Sequence, residues 1–367
     1  MQGLLFWALT LSFSPFLLVF LNRAVRAIGP ALLAMMLVAT TVSALLVVAA
    51  ATPAGFSVAG QMLAALHVPP SLFVPLLILL GMLAAAPLAW WTGRLLRVAY
   101  AAKWVTDQSL MIDAMWLFQA VVLSLGLIWD MGPAGWVGLA AFGAHKVVTL
   151  VGMSPAARAA RRRTPVRLLL LRVFGRQRST ERLFDLLGTR WRYAGPIHMI
   201  GAPDLASSTI DPDEFLDFLA GRLRQRFILE PADLPVRLAA LDERCDFDAR
   251  WRVSELYCGN DTWRHAVRAL MVHSDVVAMD LRGFGPDKQG CVFELQALID
   301  LVPAQRIALL VDASTEMAFL HTTVQACLAR MSASSPNAQA PGRITLLDIS
   351  GGERAAVEQL LGMPEAR

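Results

Sequence analysis

Asp275-Val276-Val277-Ala278-Met279-Asp280-Leu281-Arg282-Gly283-Phe284-Gly285-Pro286-Asp287-Lys288-Gln289-Gly290-Cys291-Val292-Phe293-Glu294-Leu295 reads as a strand, a glycine-bearing loop and the first turns of a helix. The strand is apolar on both faces, the mark of a strand buried in a parallel sheet rather than one with a wet side. Leu168-Leu169-Leu170-Leu171 has the same character. Working outward, strands are expected at Arg167–Phe174, Ile197–Ile200, Trp251–Tyr257, Val276–Leu281, Ile307–Val311 and Ile344–Ile349. Amphipathic runs between them predict helices at Thr180–Leu187, Pro212–Phe227, Thr262–His273, Cys291–Leu301, Met317–Met331 and Glu353–Leu361. Strands alternating with helices imply a doubly wound, mostly parallel α/β sheet. Leu229–Arg250, rich in proline and charge, is expected to be an insertion, and Ser332–Pro341 a flexible loop.

The other half of the chain is different in kind. Of 33 basic and 29 acidic residues, only Arg23, Arg26, Arg94, Arg97, Lys103 and Lys146, and Asp107, Asp113 and Asp130, lie before residue 154. Five apolar stretches there are long enough for a bilayer core of ~30 Å: Leu4–Leu21, Ala31–Ala51, Leu72–Trp91, Leu110–Trp129 and Ala134–Gly152. The expected organisation is a five-span membrane region over 1–153, a basic linker over 154–165 and a soluble α/β domain over 166–367. Arg23, Arg26, Arg94, Arg97, Lys103, Arg158 and Arg161–Arg163 follow the odd-numbered spans, and the 52–71 loop has no Lys or Arg. The positive-inside rule then gives an inner-membrane protein with its N-terminus outside and its α/β domain in the cytosol. Trp90, Trp91, Trp129 and Trp136 fall at span ends, where amphipathic rings favour the interface. Asp113 and Lys146 intrude at similar depth and are expected to form an ion pair that locks adjacent helices. Gly135, Gly138 and Gly143 are expected to allow close helix contact.

Ligands of open α/β sheets bind outside the carboxyl ends of the strands. Those ends bring Gly175, Asp204, Asp261, Arg282, Gly283, Gly285 and Ser314 to one rim, the ligand-binding candidates. The glycines of the fourth loop suit a backbone of open amides near a helix N-terminus, which favours an anion, and Arg282 would add charge. It is not a P-loop, because Cys291-Val292 stands where Lys and Ser or Thr are required. A GxGxxG directly after the first strand is also missing. No metal site is expected. Cys245, Cys258, Cys291 and Cys327 lack CxxC spacing, and His265 and His273, eight residues apart, suit surface or packing roles.

The strand Asp275–Asp280, its glycine-rich loop, Gly290-Cys291-Val292-Phe293-Glu294-Leu295 and the strand Ile307–Val311 resemble the second half of a TIR-type domain. The pattern is also similar to nucleoside 2-deoxyribosyltransferases and SLOG nucleotide sensors, all Rossmann- or flavodoxin-like. The resemblance covers roughly 40 of the residues after the membrane region. It implies that Glu294 is the residue acting at the ribose, and that NAD or another nucleotide is ligand or substrate. A carboxylate there would stabilise or trap an oxocarbenium-like state.

Three classes of function follow. The first is signalling or defence, with a nucleotide-derived ligand bound by the soluble domain and coupled to the membrane bundle. The second is a membrane-tethered NAD or nucleotide glycohydrolase using Glu294, and the third a non-catalytic scaffold. A homo-oligomer is compatible with each. The net charge of +4 resides mostly beside the apolar spans, so no nucleic-acid partner is expected.

Overall fold

The computed structural model describes residues 26–67, 69–172, 183, 186–201, 212–259 and 261–363. The expected first span, 4–21, lies outside them, as do Gly175 and Asp204. The chain divides into two compact units, one of 1–152 with 204–223 and one of 153–203 with 224–367.

In the first unit, α1 (Gly29–Ala50), α3 (Phe73–Ala101) and α4 (Asp107–Met131) are joined by the greater part of α5 (Gly138–Arg161). Among the described residues, four helices are long and apolar enough to cross a membrane. The segment expected as a bare loop holds a further helix, α2 (Pro53–Leu66). At 14 residues it is about 21 Å long, short of a bilayer core. α3 runs ten residues beyond the expected span end. Arg94 and Arg97 do not stop it, because Leu96 and Tyr100 on its last turns pack with Ala31, Val105 and Leu110. α4 starts three residues early, where Thr106 and Ser109 form a reciprocal capping box.

Small residues set the helix contacts. The Ser43 hydroxyl donates to the Ile78 carbonyl of α3 at 3.0 Å, and a Cβ on Gly81 would come within 2.6 Å of Ser43 Cα. Gly135 and Gly138 are also close-contact positions, against Ile128 and Ser124. At Gly143 none of the described residues lies within 4 Å of where a Cβ would be. The unit also includes α6 (Pro212–Leu219), which in sequence lies between two strands of the sheet. Leu216 of α6 is buried with Ala31, Tyr100, Val105 and Leu110, and Asp217 accepts from Arg97 Nε at 2.8 Å.

The second unit is a seven-stranded parallel sheet. Its strands are β1 (Leu168–Arg172), β2 (Ile197–Gly201), β3 (Phe227–Ile228), β4 (Val253–Cys258), β5 (Val276–Asp280), β6 (Ile307–Val311) and β7 (Thr345–Asp348). The order is β3-β4-β2-β1-β5-β6-β7, every neighbouring pair parallel. Without the two-residue edge strand β3, this is the 3-2-1-4-5-6 order of the doubly wound dinucleotide-binding fold rather than the flavodoxin-like order. The order reverses between β1 and β5, with Arg172 paired in register to Asp280.

Helices α7 (Leu234–Ala239), α8 (Trp263–His273), α9 (Gln289–Leu301) and α10 (Met317–Ala329) contribute to one core, centred on Leu169, Val277, Met279 and Leu309. On the opposite face Leu183, Leu187, Trp191 and α12 (Glu353–Gly362) cover Leu168, Leu170, Ala278 and Leu310. The helix expected over 212–227 ends at Leu219, because Gly221 adopts φ +69°, and the chain then enters β3. The segment expected as a flexible loop, 332–341, contains α11 (Pro336–Gln339) and is anchored. Asn337 Nδ2 donates to the Ile299 and Val302 carbonyls, both at 2.8 Å, and so satisfies the end of α9.

Candidate functional site

The carboxyl ends of β1 and β5 flank the point where the strand order reverses, the place where such sheets hold ligands. The loop after β5 is built more tightly than a cradle of open amides. Gly283 takes φ +69°, a left-handed turn suited to glycine. The turn sends Phe284 into the core, fully buried against Phe319 with ring centroids 5.2 Å apart. The Phe284 amide donates to the Leu281 carbonyl at 3.0 Å, and the Glu316 amide to the Phe284 carbonyl at 3.1 Å. Thr315 Oγ1 donates to the Leu281 carbonyl at 3.0 Å. At Gly285 a Cβ would come within 2.8 Å of Glu316 Oε1, so this loop and the one after β6 are in close contact.

Arg282 is engaged internally. Its Nη2 is 2.6 Å from Asp280 Oδ2, its Nε 2.8 Å from Asp280 Oδ1 and its Nη1 3.2 Å from Glu353 Oε1. Both Arg282 and Asp280 are buried. Burial pulls the guanidinium pKa down, but the Asp280 hydrogen bonds and the charges of Asp280, Glu353 and Asp312 more than offset it. The group thus stays charged while spending its donors on the protein, and it ties β5 to the start of α12. Ser314 is also used locally: its amide donates to Asp312 Oδ1 at 2.9 Å, and its hydroxyl donates to the same oxygen. Asp261 is exposed after β4.

Glu294 stands apart. It lies on the second turn of the helix that leaves β5, and Cys291, Glu294, Leu295 and Leu298 form the buried, core-facing stripe of that helix. Only 4% of Glu294 is exposed, and among the described residues its Oε2 has no hydrogen-bond partner. Burial pushes its carboxyl up to about 8, so the group is a neutral acid at pH 7. An unpaired buried carboxyl is a costly thing to keep in a core. Cys258 and Cys291 near the rim are buried as well, and burial first of all pushes both thiols up to about 12. That makes them packing groups rather than nucleophiles.

Sequence reasoning did not single out the aromatic and cationic group beside this helix. Trp263 of α8 meets Phe293 edge-on, with centroids 5.3 Å apart, and its ring edge lies 4.0 Å from where a Cβ on Gly290 would be. Arg264 stacks over both rings, at 5.5 and 5.1 Å, and Arg268 over Phe293 at 5.4 Å. The signal was available as Trp-Arg at 263–264 one helix turn before Arg268, yet only the fold brings Phe293 to it.

In the membrane unit the expected pair is present. Lys146 Nζ lies 2.5 Å from Asp113 Oδ2. His145 was missed as a third member. Its Nε2 is 3.6 Å from Asp113 Oδ1 and its ring stacks on Trp116 at 5.0 Å. Compared with known protein families, with curated proteins and with solved structures, the chain matches none.

Proposed function

We propose that this chain is an integral membrane protein whose sheet domain takes up a nucleotide-derived ligand at the carboxyl edge of β1 and β5. One observation carries the reading: Glu294, a neutral, buried carboxyl with an unpartnered oxygen, on the helix that leaves the switch point. A protonated acid there can donate a hydrogen bond to a ribose or phosphate oxygen. Trp263 and Phe293, with Arg264 and Arg268 beside them, would supply a stacking surface and positive charge for the remainder. The sequence resemblance to nucleotide-sensing and TIR-type domains points the same way.

Signalling follows if ligand occupancy reaches the membrane helices. The segment 204–223 supports that coupling, because it is threaded through the sheet domain in sequence and grouped with the helices in space. The basic residues in the last turns of α3 and α5 and just beyond them favour an inner-membrane protein with a cytosolic sheet domain and an outside N-terminus. A second reading rests on the same residue. A carboxyl kept protonated at neutral pH is the kind that protonates a leaving group, which would make the domain an NAD or nucleotide glycohydrolase.

Thermal unfolding of the full chain in detergent, with and without NAD, ADP-ribose and ATP, tests the proposal. A ligand at 100 times its Kd stabilises by about 2.7 kcal/mol. At least one of the three should raise the midpoint. Glu294→Gln should keep the effect, since the amide still donates, and Glu294→Leu should lose it. Stabilisation identical in all three proteins would remove Glu294 from the site, and no stabilisation by any nucleotide would leave the scaffold reading.

A further inference from the structure

Three polar residues meet at the opposite, amino end of the sheet, where neither the sequence motifs nor the proposed ligand edge reach. His198 is the second residue of β2, Glu243 lies between α7 and β4, and His273 is the last residue of α8. They are 45 and 30 residues apart in sequence, yet one ligand atom from each falls within 4.8 Å of the other two. His198 Nε2 is 3.6 Å and His273 Nε2 2.6 Å from the same oxygen, Glu243 Oε1. The two rings are tilted by 55° with centroids 5.9 Å apart, so they converge rather than stack.

The state of His198 is the telling observation. Its side chain is 0% exposed; among the described residues Nδ1 has no hydrogen-bond partner, and Nε2 faces only Glu243 Oε1, at the ion-pair distance of 3.6 Å. Buried imidazoles are ordinarily satisfied at one nitrogen at least. Nothing in the proposed nucleotide site uses this residue, because His198 is three residues before the carboxyl end of its strand, about 10 Å away. Glu243 and His273 are one-third exposed, so the mouth of the cluster opens to solvent past them.

We infer that His198, Glu243 and His273 bind a divalent transition-metal ion of the zinc class. Two imidazole nitrogens and one carboxylate oxygen suit zinc, cobalt or nickel and do not suit calcium or magnesium, which prefer all-oxygen sites. Ligands at about 2.0–2.2 Å from a tetrahedral ion stand about 3.3 Å from one another. The 3.6 Å separation needs almost no change, and the 2.6 Å one opens when the proton shared between His273 and Glu243 leaves and the ion takes its place. The fourth position is left for water.

The site would act on one stretch of chain. Glu243 belongs to the segment that runs through Cys245 and Trp251, which pack with Ala160 at the end of α5. A bound ion would pin that segment, with Cys245 and Trp251 beside Ala160, to β2 and α8.

Co2+ titration of the full chain in detergent, after removal of metal with EDTA, reads the site by its visible d–d absorption and by displacement with Zn2+. One tightly bound ion per chain is expected, with the spectrum of a four-coordinate nitrogen and oxygen site. Glu243→Gln and His273→Gln should each weaken binding at least about 100-fold, since losing even an outer-sphere partner costs 10–100-fold. His265→Gln, exposed on the same helix, should leave it unchanged. The two one-third-exposed variants keep the test valid if His198→Gln fails to fold. Absence of Co2+ and Zn2+ uptake by the wild-type chain would overturn the inference, as would uptake equal in wild type, Glu243→Gln and His273→Gln.

Discussion

Asp113 in the long apolar helices and Glu294 in the sheet domain are both buried acids, and they are treated in opposite ways. Asp113 has Lys146 at 2.5 Å and His145 at 3.6 Å. Glu294 has no partner for Oε2 among the described residues and is kept neutral instead. In a medium without water an ionised group persists only when paired. The pair therefore needs no ligand to explain it and serves as a lock between α4 and α5. The lone acid does need an explanation, since a leucine of similar size would stabilise the core more. Arg282 makes the same point within the sheet domain: it looks like an anion receptor in the sequence, but Asp280 and Glu353 already occupy its donors.

This contrast can be broken by substitution. The largest effect is expected at Glu294. Its carboxyl is raised in the folded chain from 4.5 to about 8, so folding favours the protonated form. Its stability contribution is complete below about pH 4.5 and is lost as pH climbs through 8, a span worth up to about 5 kcal/mol. Glu294→Gln should match wild type at pH 4 and melt well above it at pH 9. Coincident melting curves across that range would show that the acid is solvated. Next comes Lys146→Ala, which strands Asp113. A loss of about 3–5 kcal/mol in detergent is expected, largely recovered by adding Asp113→Asn. A harmless Lys146→Ala would mean the pair is no lock.

Smaller effects sharpen the packing side of the comparison. Gly81→Ala puts a Cβ 2.6 Å from the Ser43 backbone and should cost about 1–3 kcal/mol, while Gly143→Ala, with open space, should be neutral. Equal effects at the two positions would contradict the α1–α3 contact. Arg97→Ala should cost under about 1 kcal/mol, because the pair with Asp217 is partly wet. Its value lies in hydrogen exchange: the amides of α6 should exchange faster in the variant, and unchanged protection would show that Leu216 alone holds the helix.

Much of the architecture was legible because its signals are strong and local. β5 and β6 lie where their apolar runs predict, as β-strands buried on both faces must be nearly all apolar. Four of the five expected spans coincide with long apolar helices for the same reason, and the first lies outside the described residues. What escaped depended on distant partners. Two residues of β3 become a strand only beside Tyr257 and Cys258. The polar run 332–341 looks mobile until Ser335 and Asn337 are seen to cap α9. Residues 204–223 look like an ordinary piece of the α/β domain, since nothing in their composition announces that Leu216 will pack with Ala31 and Leu110. At the site, Glu294 was legible as a carboxyl on a helix after a loop, but its isolation was not. The cluster of His198, Glu243 and His273 was hidden because its members come from a strand, an insertion and a helix end.

The proposed ligand site is the carboxyl edge of the sheet, holding a nucleotide-derived molecule through Glu294. Equilibrium dialysis of the full chain in detergent against NAD and ADP-ribose, with both compartments analysed by mass spectrometry, measures binding and cleavage together. Saturable binding of one of them is expected, surviving Glu294→Gln and falling at least about tenfold in Glu294→Leu, a loss of about 1.4 kcal/mol. Release of nicotinamide that Glu294→Gln abolishes would turn the sensor into a glycohydrolase at the same site. No binding, or binding equal in wild type and Glu294→Leu, would contradict the claim.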